Sequence, residues 1–430
     1  MNTSSNQPHL APGPLAAAAV FLAGVCAFLQ LYCTQPLLPL FTNLFHVTKA
    51  SAGLTVSAAT IAVAISAPFF GALTERLARR RVILASILGM AIPTLLAATA
   101  QSLTQLIIWR FLQGVMVPGV VAVLVTYIGE EWPPNRVPFI MSLYVSGTAL
   151  GGFLGRLTAG LLADWFSWRI SFIALGLASF GGAAAVAAWL PHGRPRPHAH
   201  SDRVPKVSVL RPGIPESTSA ISTFAHQVRS LLRLPRLVAT LAVGFNVLFS
   251  LVAVFTWITF HLAAPPFSLS TAALSSLFFV YLVGLLVTPL AGYLITRTGL
   301  RAGIAAAMLL SMLGVVLTLA PSLPIIILGL ALMSSGVFIA QTSSQSFLRI
   351  ATPPESRVTG AGLYMTCYYL GGTAAGVVPA IFWSIGKWPA CVAFILCAQS
   401  LALTIALIGW RTRSPQSATD PAFAQPVSLE

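Results

Sequence analysis

The chain has 430 residues, 57% of them hydrophobic and 8% charged, and its mean hydropathy is +0.86. That is too apolar for a water-soluble domain, so the class is integral membrane protein. The net charge of +15 would suit a nucleic-acid binder, but the basic residues sit in short segments between apolar runs, which excludes that partner.

Apolar runs of roughly 20 residues, the length a helix needs to cross a bilayer, number twelve. They fall near 14–40, 52–73, 82–100, 104–128, 137–162, 169–190, 237–262, 270–295, 302–320, 323–347, 358–383 and 388–410. With the N-terminus inside, 19 of the 24 lysines and arginines lie in inner segments, and only Lys49, Arg169 and Lys387 lie in outer loops. The remaining two, Arg110 and Arg156, lie within spans. This is the positive-inside bias, so the charge is topological and both termini are expected in the cytoplasm. The first polar residues lack a charged start and a small-residue cleavage site, so the first run is expected to stay as a helix. Cys26, Cys33, Cys367, Cys391 and Cys397 fall in predicted spans without metal-like spacing and read as small hydrophobes. No metal and no cofactor are expected.

In the first span, Tyr32 and Gln35 precede Pro36 and Pro39, where a bent helix would expose carbonyls. The second and third spans are joined by Gly71-Ala-Leu-Thr-Glu75-Arg76-Leu-Ala-Arg79-Arg80-Arg81. A glycine here lets two helices turn and approach closely, and Glu75 can neutralise a neighbouring helix N-terminus. Arg79 or Arg80 can reach Glu130 or Glu131, at the end of the fourth span. The alternative is a solvated topogenic loop, although such a loop needs neither a glycine nor an acid.

The fourth span carries Arg110 and Gln113. An arginine inside a span costs about 2.5–3.5 kcal/mol on insertion scales, which favours a cavity role. Arg110 is also roughly 9 Å from the outer edge at the helical rise, close enough to snorkel or to pair structurally. The fifth span reads Gly147-x3-Gly151-Gly152-x2-Gly155-Arg156-x3-Gly160, a spacing that lets helices pack backbone to backbone. Arg156 falls at a depth similar to that of Arg110. None of the nine acidic residues lies in a span interior. Backbone carbonyls, Asp164 at the outer end of the fifth span, or an anionic substrate must therefore balance the pair, unless Arg156 simply faces a neighbouring helix.

Residues 191–236 hold seven prolines and eight basic residues and read as a cytoplasmic linker. Within it Ile221, Phe224, Val228, Leu231 and Leu232 share one helical face, which suits a helix on the membrane surface or a plain amphipathic linker helix. Asn246 falls near midplane of the seventh span, and Tyr368 and Tyr369 near midplane of the eleventh; each fits either helix packing or an aromatic and polar cavity. Trp257 reads as an interfacial anchor. His261 can titrate near neutrality or be merely interfacial.

The chain also repeats itself. Pro133-Pro134 recurs as Pro353-Pro354, Leu143-Tyr144 as Leu363-Tyr364, and Leu150-Gly151-Gly152 as Leu370-Gly371-Gly372, all at one constant offset. A worn copy of the basic loop, Gly292-Tyr-Leu-Ile-Thr-Arg297-Thr-Gly299-Leu-Arg301, sits near the same offset. Two parallel halves place a site between them near midplane. The expected organisation is a tail 1–13, a bundle 14–190, a linker 191–236, a bundle 237–410 and a tail 411–430.

The two basic loops resemble the loop between spans two and three of the major facilitator superfamily, usually Gly-x-Leu-x-Asp-Arg-x-Gly-Arg-Arg. Here Glu75 replaces the Asp, Ala78 replaces the second Gly, and Thr296 replaces the acid of the copy. Arg110-Phe-Leu-Gln113-Gly114 resembles the family's Arg-x-x-Gln-Gly motif. The fifth span is similar to the Gly-rich antiporter motif of drug exporters, with Arg156 where proline commonly stands. Asp164-Trp165-Phe-Ser-Trp168-Arg169 resembles the family's outer turn. Tyr32-Cys-Thr-Gln-Pro-Leu-Leu-Pro39 together with Arg156 resembles the YnfM-type subgroup of twelve-span drug:proton antiporters.

The resemblance implies an all-α integral membrane protein, with twelve transmembrane helices in two pseudo-symmetric six-helix bundles. It implies a conformational latch of Gly71, Glu75, Arg76, Arg79, Arg80, Glu130 and Arg357, in which Glu75 caps the eleventh span near Arg357 and holds the inner side closed. It also implies monomeric, alternating-access efflux of drugs or small metabolites against protons, across a bacterial inner membrane. The expected substrate cavity is Tyr32, Gln35, Arg110, Gln113, Arg156, Asn246 and Tyr368, and the packing glycines are Gly147, Gly151, Gly152, Gly155, Gly371 and Gly372. No P-loop is present, so transport should run on a gradient. With no carboxylate inside a span, Asp164, Glu75 and His261 are the candidate proton carriers. Two alternatives stay open: a transporter of small organic anions held by Arg110 and Arg156, and a membrane scaffold or sensor that transports nothing.

Overall fold

The computed structural model describes residues 12–76, 78–191, 226–283, 287 and 299–410, with backbone alone at 71–76, 355 and 358. Several expected features lie outside these residues: the surroundings of Gly71, the side chains of Glu75 and Arg76, the linker around Ile221 and Phe224, most of the second basic loop, and both tails.

Among the described residues every regular element is helical. Helices α1 (Pro14–Leu29) and α2 (Leu38–Leu44) make the first span. The next five spans are α3 (Lys49–Arg76), α4 (Arg79–Ala97), α5 (Leu103–Glu131), α6 (Val137–Trp165) and α7 (Trp168–Trp189). The second half runs α8 (Pro235–Ala263), α9 (Thr271–Ser276, continued as helix to Val283), α10 (Leu300–Leu317), α11 (Leu323–Ala351), α12 (Arg357–Val377) and α13 (Pro379–Gly409). Nine of the described helices are long and apolar enough to cross a membrane. The backbone of α13 breaks at Gly386 and at Lys387 (φ 53°), so its first turns complete the eleventh span and its remainder is the twelfth.

Span ends alternate between two faces. The linker face carries residues 14, 76, 78–79, 131–137, 189–191 and 235, and the far face carries 44–49, 97–103, 165–168, 263–271 and 386–387. Two far-face helices begin at serines whose side chains accept from amides one turn ahead: Ser102 from Gln105, and Ser270 from Ala273. Such caps satisfy N–H groups that have no partner inside the helix.

The internal repeat is a repeat of contacts. Span four (Leu103–Glu131) and span ten (Leu323–Ala351) have both bounds shifted by the offset of the sequence repeat, and so do the starts of spans five and eleven, Val137 and Arg357. A methyl group added at Gly151 would overlap the Val25 carbonyl oxygen, and one added at Gly371 would overlap that of Phe245, the counterpart of Val25 at the same offset. Gly24 lies against Tyr144, and its counterpart Gly244 lies against Tyr364. Gly147 and Gly155 meet the carbonyls of Phe21 and Leu29, so span five lies on span one backbone to backbone.

The hydrogen bonds and ring contacts described between the two bundles run from near mid-span to the far face. Ser57 Oγ donates to the Thr373 carbonyl (2.7 Å), and the Thr60 and Thr373 hydroxyls are 3.1 Å apart. The Lys49 ammonium lies 4.3 Å from the Trp383 ring centre and 5.6 Å from that of Phe260. Phe153 meets Phe279 edge-on at 4.8 Å. Trp257 is no interfacial anchor. It is fully buried and its Nε1 donates to the Ala375 carbonyl (3.1 Å), pinning span seven to span eleven.

Candidate functional site

The site begins with a broken helix. Pro36 and Pro39 bring no backbone N–H and cannot continue α1 in register. The chain therefore turns through residues 30–34 into a short 3-10 helix, Gln35–Leu37. This frees carbonyls at Gln30 and Leu31 in the middle of the protein, and a buried carbonyl needs a donor.

Arg110 supplies it. Fully buried, it donates from Nη1 to the Gln30 carbonyl (2.6 Å) and from Nη2 to the Leu31 carbonyl, and from Nε to the Thr55 carbonyl of span two (3.1 Å). Its Nη1 also reaches Gln113 Oε1 (2.5 Å) and lies 3.7 Å from Cys33 Sγ. Gln113 Nε2 donates to Thr94 Oγ1 (2.6 Å), Thr94 donates to Gln30 Oε1, and Gln30 Nε2 donates to Ser179. This network ties spans one, two, three, four and six. A planar guanidinium suits it, because its fork of donors reaches several carbonyls at once. Arg110 and Gln113 are thus placed inside the N-terminal bundle, facing its own backbone.

Arg156 sits on the other side of the break. It is 3% exposed, and it donates from Nε to Gln35 Oε1 (2.7 Å) and from Nη1 to the Gly152 carbonyl (2.6 Å). Its guanidinium carbon faces the rings of Tyr32 (4.6 Å), Tyr281 (4.9 Å) and Phe278 (5.0 Å), a cation–π cage drawn from spans one and eight. Gln35 Nε2 in turn donates to Thr256 Oγ1 of span seven (3.0 Å). The Arg156 cluster therefore joins both bundles, whereas the Arg110 cluster belongs to one.

Asp164 is exposed at the far-face end of span five, eight residues from Arg156, and no described contact joins them. The balance for Arg156 is a carbonyl, an amide oxygen and three ring faces. Tyr368 stacks on Tyr364 (6.1 Å) and meets Tyr369 edge-on (5.4 Å) in span eleven. Asn246 is buried and accepts from Ser250 (3.3 Å), four residues along its own helix. His261 stacks on Trp388 (6.1 Å) at the far face. Tyr281 and Phe278 were not singled out from the sequence: on an apolar span an aromatic pair looks like packing, and only the docking of span eight on span five places it over a charge.

On the linker face, Arg79 forms an ion pair with Glu130 and reaches the Thr126 carbonyl (3.3 Å). Arg80 donates from Nε to the Leu190 carbonyl (2.8 Å) and from Nη2 to that of Ala187, capping the end of span six. Arg357 is exposed at the start of span eleven. Two apolar grooves, of about 570 and 680 Å³, open on the perimeter, and none of the expected cavity residues lines either.

Twelve spans in two repeated bundles around one buried polar centre define a membrane transporter fold. The chain belongs to the major facilitator superfamily, whose family model matches residues 20–376 and 259–429. It is 34% identical over 395 residues to the inner membrane transport protein YnfM of Escherichia coli (strain K12), covering 91% of this chain and 88% of that one. It is 33% identical over 182 residues to the multidrug resistance protein MdtG of Rahnella sp. (strain Y9602), 40% of this chain and 43% of that one. Among solved structures, a peptide transporter POT in complex with sulfate superposes with a TM-score of 0.71 at 14% identity, over 92% of this chain and 94% of that one.

Proposed function

We propose that this protein is a proton-coupled secondary transporter that exports drugs or small metabolites by alternating access. The observation that carries the reading is the placement of polar contacts between the bundles. They converge on Arg156, Gln35 and Thr256, with Ser57, Thr60 and Thr373 joining spans two and eleven at similar depth, and at the far face itself Lys49 of span two lies against the rings of Trp383 and Phe260. A scaffold has no need for a buried charge at a two-bundle interface, or for contacts that close one face of it. With the linker face cytoplasmic, as the basic residues favour, this arrangement is the state closed to the outside. The likeness to MdtG and to YnfM supports export from the inner membrane of a bacterium.

In this reading the chain works as a monomer in the bilayer, with bundles 14–190 and 237–410 rocking about the central site. Gly71, Glu75 and Arg357, with the Arg79–Glu130 pair, form the latch that closes the linker face in the opposite state. Glu75, Asp164 and His261 are the proton carriers to test first, since each lies near a span end. The test is flux into proteoliposomes under an imposed pH gradient, with cationic dyes, sugars and small carboxylates as solutes. Saturable movement that stops when a protonophore collapses the gradient is expected. Movement indifferent to the gradient removes proton coupling, and no movement of any solute by folded protein removes the transporter reading.

A further inference from the structure

We infer that the central site binds an organic anion, a carboxylate or sulfonate on an aromatic body, with Arg156 as its counter-charge. This rests on the transporter reading and names its substrate class. The two buried arginines differ in what they are given. Arg110 has three carbonyl oxygens, an amide oxygen and a sulfur around its guanidinium. Arg156 has two oxygens, and its Nη2 makes no hydrogen bond among the described residues. Ring faces attract a cation but do not neutralise it, and no acidic residue of the chain lies in a span interior. A buried charge so little compensated calls for a partner of opposite sign.

The internal repeat shows that the fold itself does not require this arginine. The counterpart of Arg156 at the repeat offset is Gly376, and there span eleven lies directly on Gly53 and Ser57 of span two. One half closes the equivalent helix contact with no side chain, while the other inserts a guanidinium. A second donor waits beside it: the Tyr281 hydroxyl is buried with no partner among the described residues, on a ring 4.9 Å from the Arg156 guanidinium carbon. Arg156 Nη2 and Tyr281 Oη together can hold the two oxygens of one anion. The faces of Tyr32, Tyr281 and Phe278 suit an aromatic body, whereas a cationic solute would meet Arg156 with nothing to screen it.

The test uses the full chain in proteoliposomes with radiolabelled benzoate and benzenesulfonate, and with ethidium as the cationic control. Arg156→Gln, Arg156→Lys and Tyr281→Phe are compared with the parent, each checked for an unchanged melting temperature. Saturable uptake of either anion is expected, weakened about tenfold or more by Arg156→Gln, the loss of one charged hydrogen bond. Arg156→Lys should restore part of it, and Tyr281→Phe should weaken it by a smaller factor. Anion uptake equal in Arg156→Gln and parent overturns the assignment. Ethidium movement without uptake of either anion overturns the substrate class and leaves the transporter standing. Movement of none of the three overturns both.

Discussion

At the scale of single residues, two arginines one span apart do different work because of what surrounds them. Arg110 holds the break in the first span together. Arg110→Met would leave the carbonyls of Gln30, Leu31 and Thr55 without that donor. At about 1–3 kcal/mol for each buried group left unpaired, the expected loss is about 3 kcal/mol or more, read as a clear fall in melting temperature in detergent. Arg110→Lys should not rescue it, because one ammonium cannot span three carbonyls. A variant that melts like the parent would remove this role. The sequence marks both positions as costly, but it does not tell them apart. The difference lies in contacts with residues far away along the chain, Gln30 for Arg110 and Gln35 for Arg156, which a local pattern does not record.

At the scale of elements, the glycine spacing of span five and its copy in span eleven was legible at once, since close helix contact needs a residue without a side chain. Gly151→Val and Gly371→Val should each prevent folding or abolish membrane accumulation, because the new side chain meets the backbone of Val25 or Phe245. Gly181→Ala, in span six, has open space around its Cβ. It should be neutral or add up to about 1 kcal/mol, the helix preference for Ala over Gly. Normal accumulation of both valine variants would show the contacts to be dispensable. The interior of span one was legible only in part: its prolines announce a bend, but not which carbonyls the bend sets free. Trp257 shows the reverse failure, because a tryptophan near a span end has the same sequence signature whether it faces lipid or a neighbouring helix.

At the scale of the whole molecule, spans two and eleven are joined near mid-span by few polar contacts, so a single covalent tie there should arrest the cycle. With the five native cysteines replaced, Thr60→Cys with Thr373→Cys should cross-link under mild oxidation, since the native hydroxyls are 3.1 Å apart. Transport should stop on oxidation and return with reductant. Undiminished flux in fully cross-linked protein would show that spans two and eleven do not need to part. On the linker face, the Arg79–Glu130 pair is half exposed on its acidic side, and a pair so solvated is worth about 0–1 kcal/mol. Arg80, with its two carbonyl partners, is the stronger tie.

The sequence alone determined the membrane class, the all-helical succession of apolar spans and the internal repeat. Each follows from hydrophobic run length, helix-breaking residues and glycine spacing, which act locally along the chain. Only the tertiary structure decided that Arg110 is sealed within one bundle while Arg156 stands between two, that Asp164 is no partner to either, and that Tyr281 joins the centre. Those are outcomes of which helix faces meet. Burial is a property of that meeting, and so is the choice of acceptor for a buried charge.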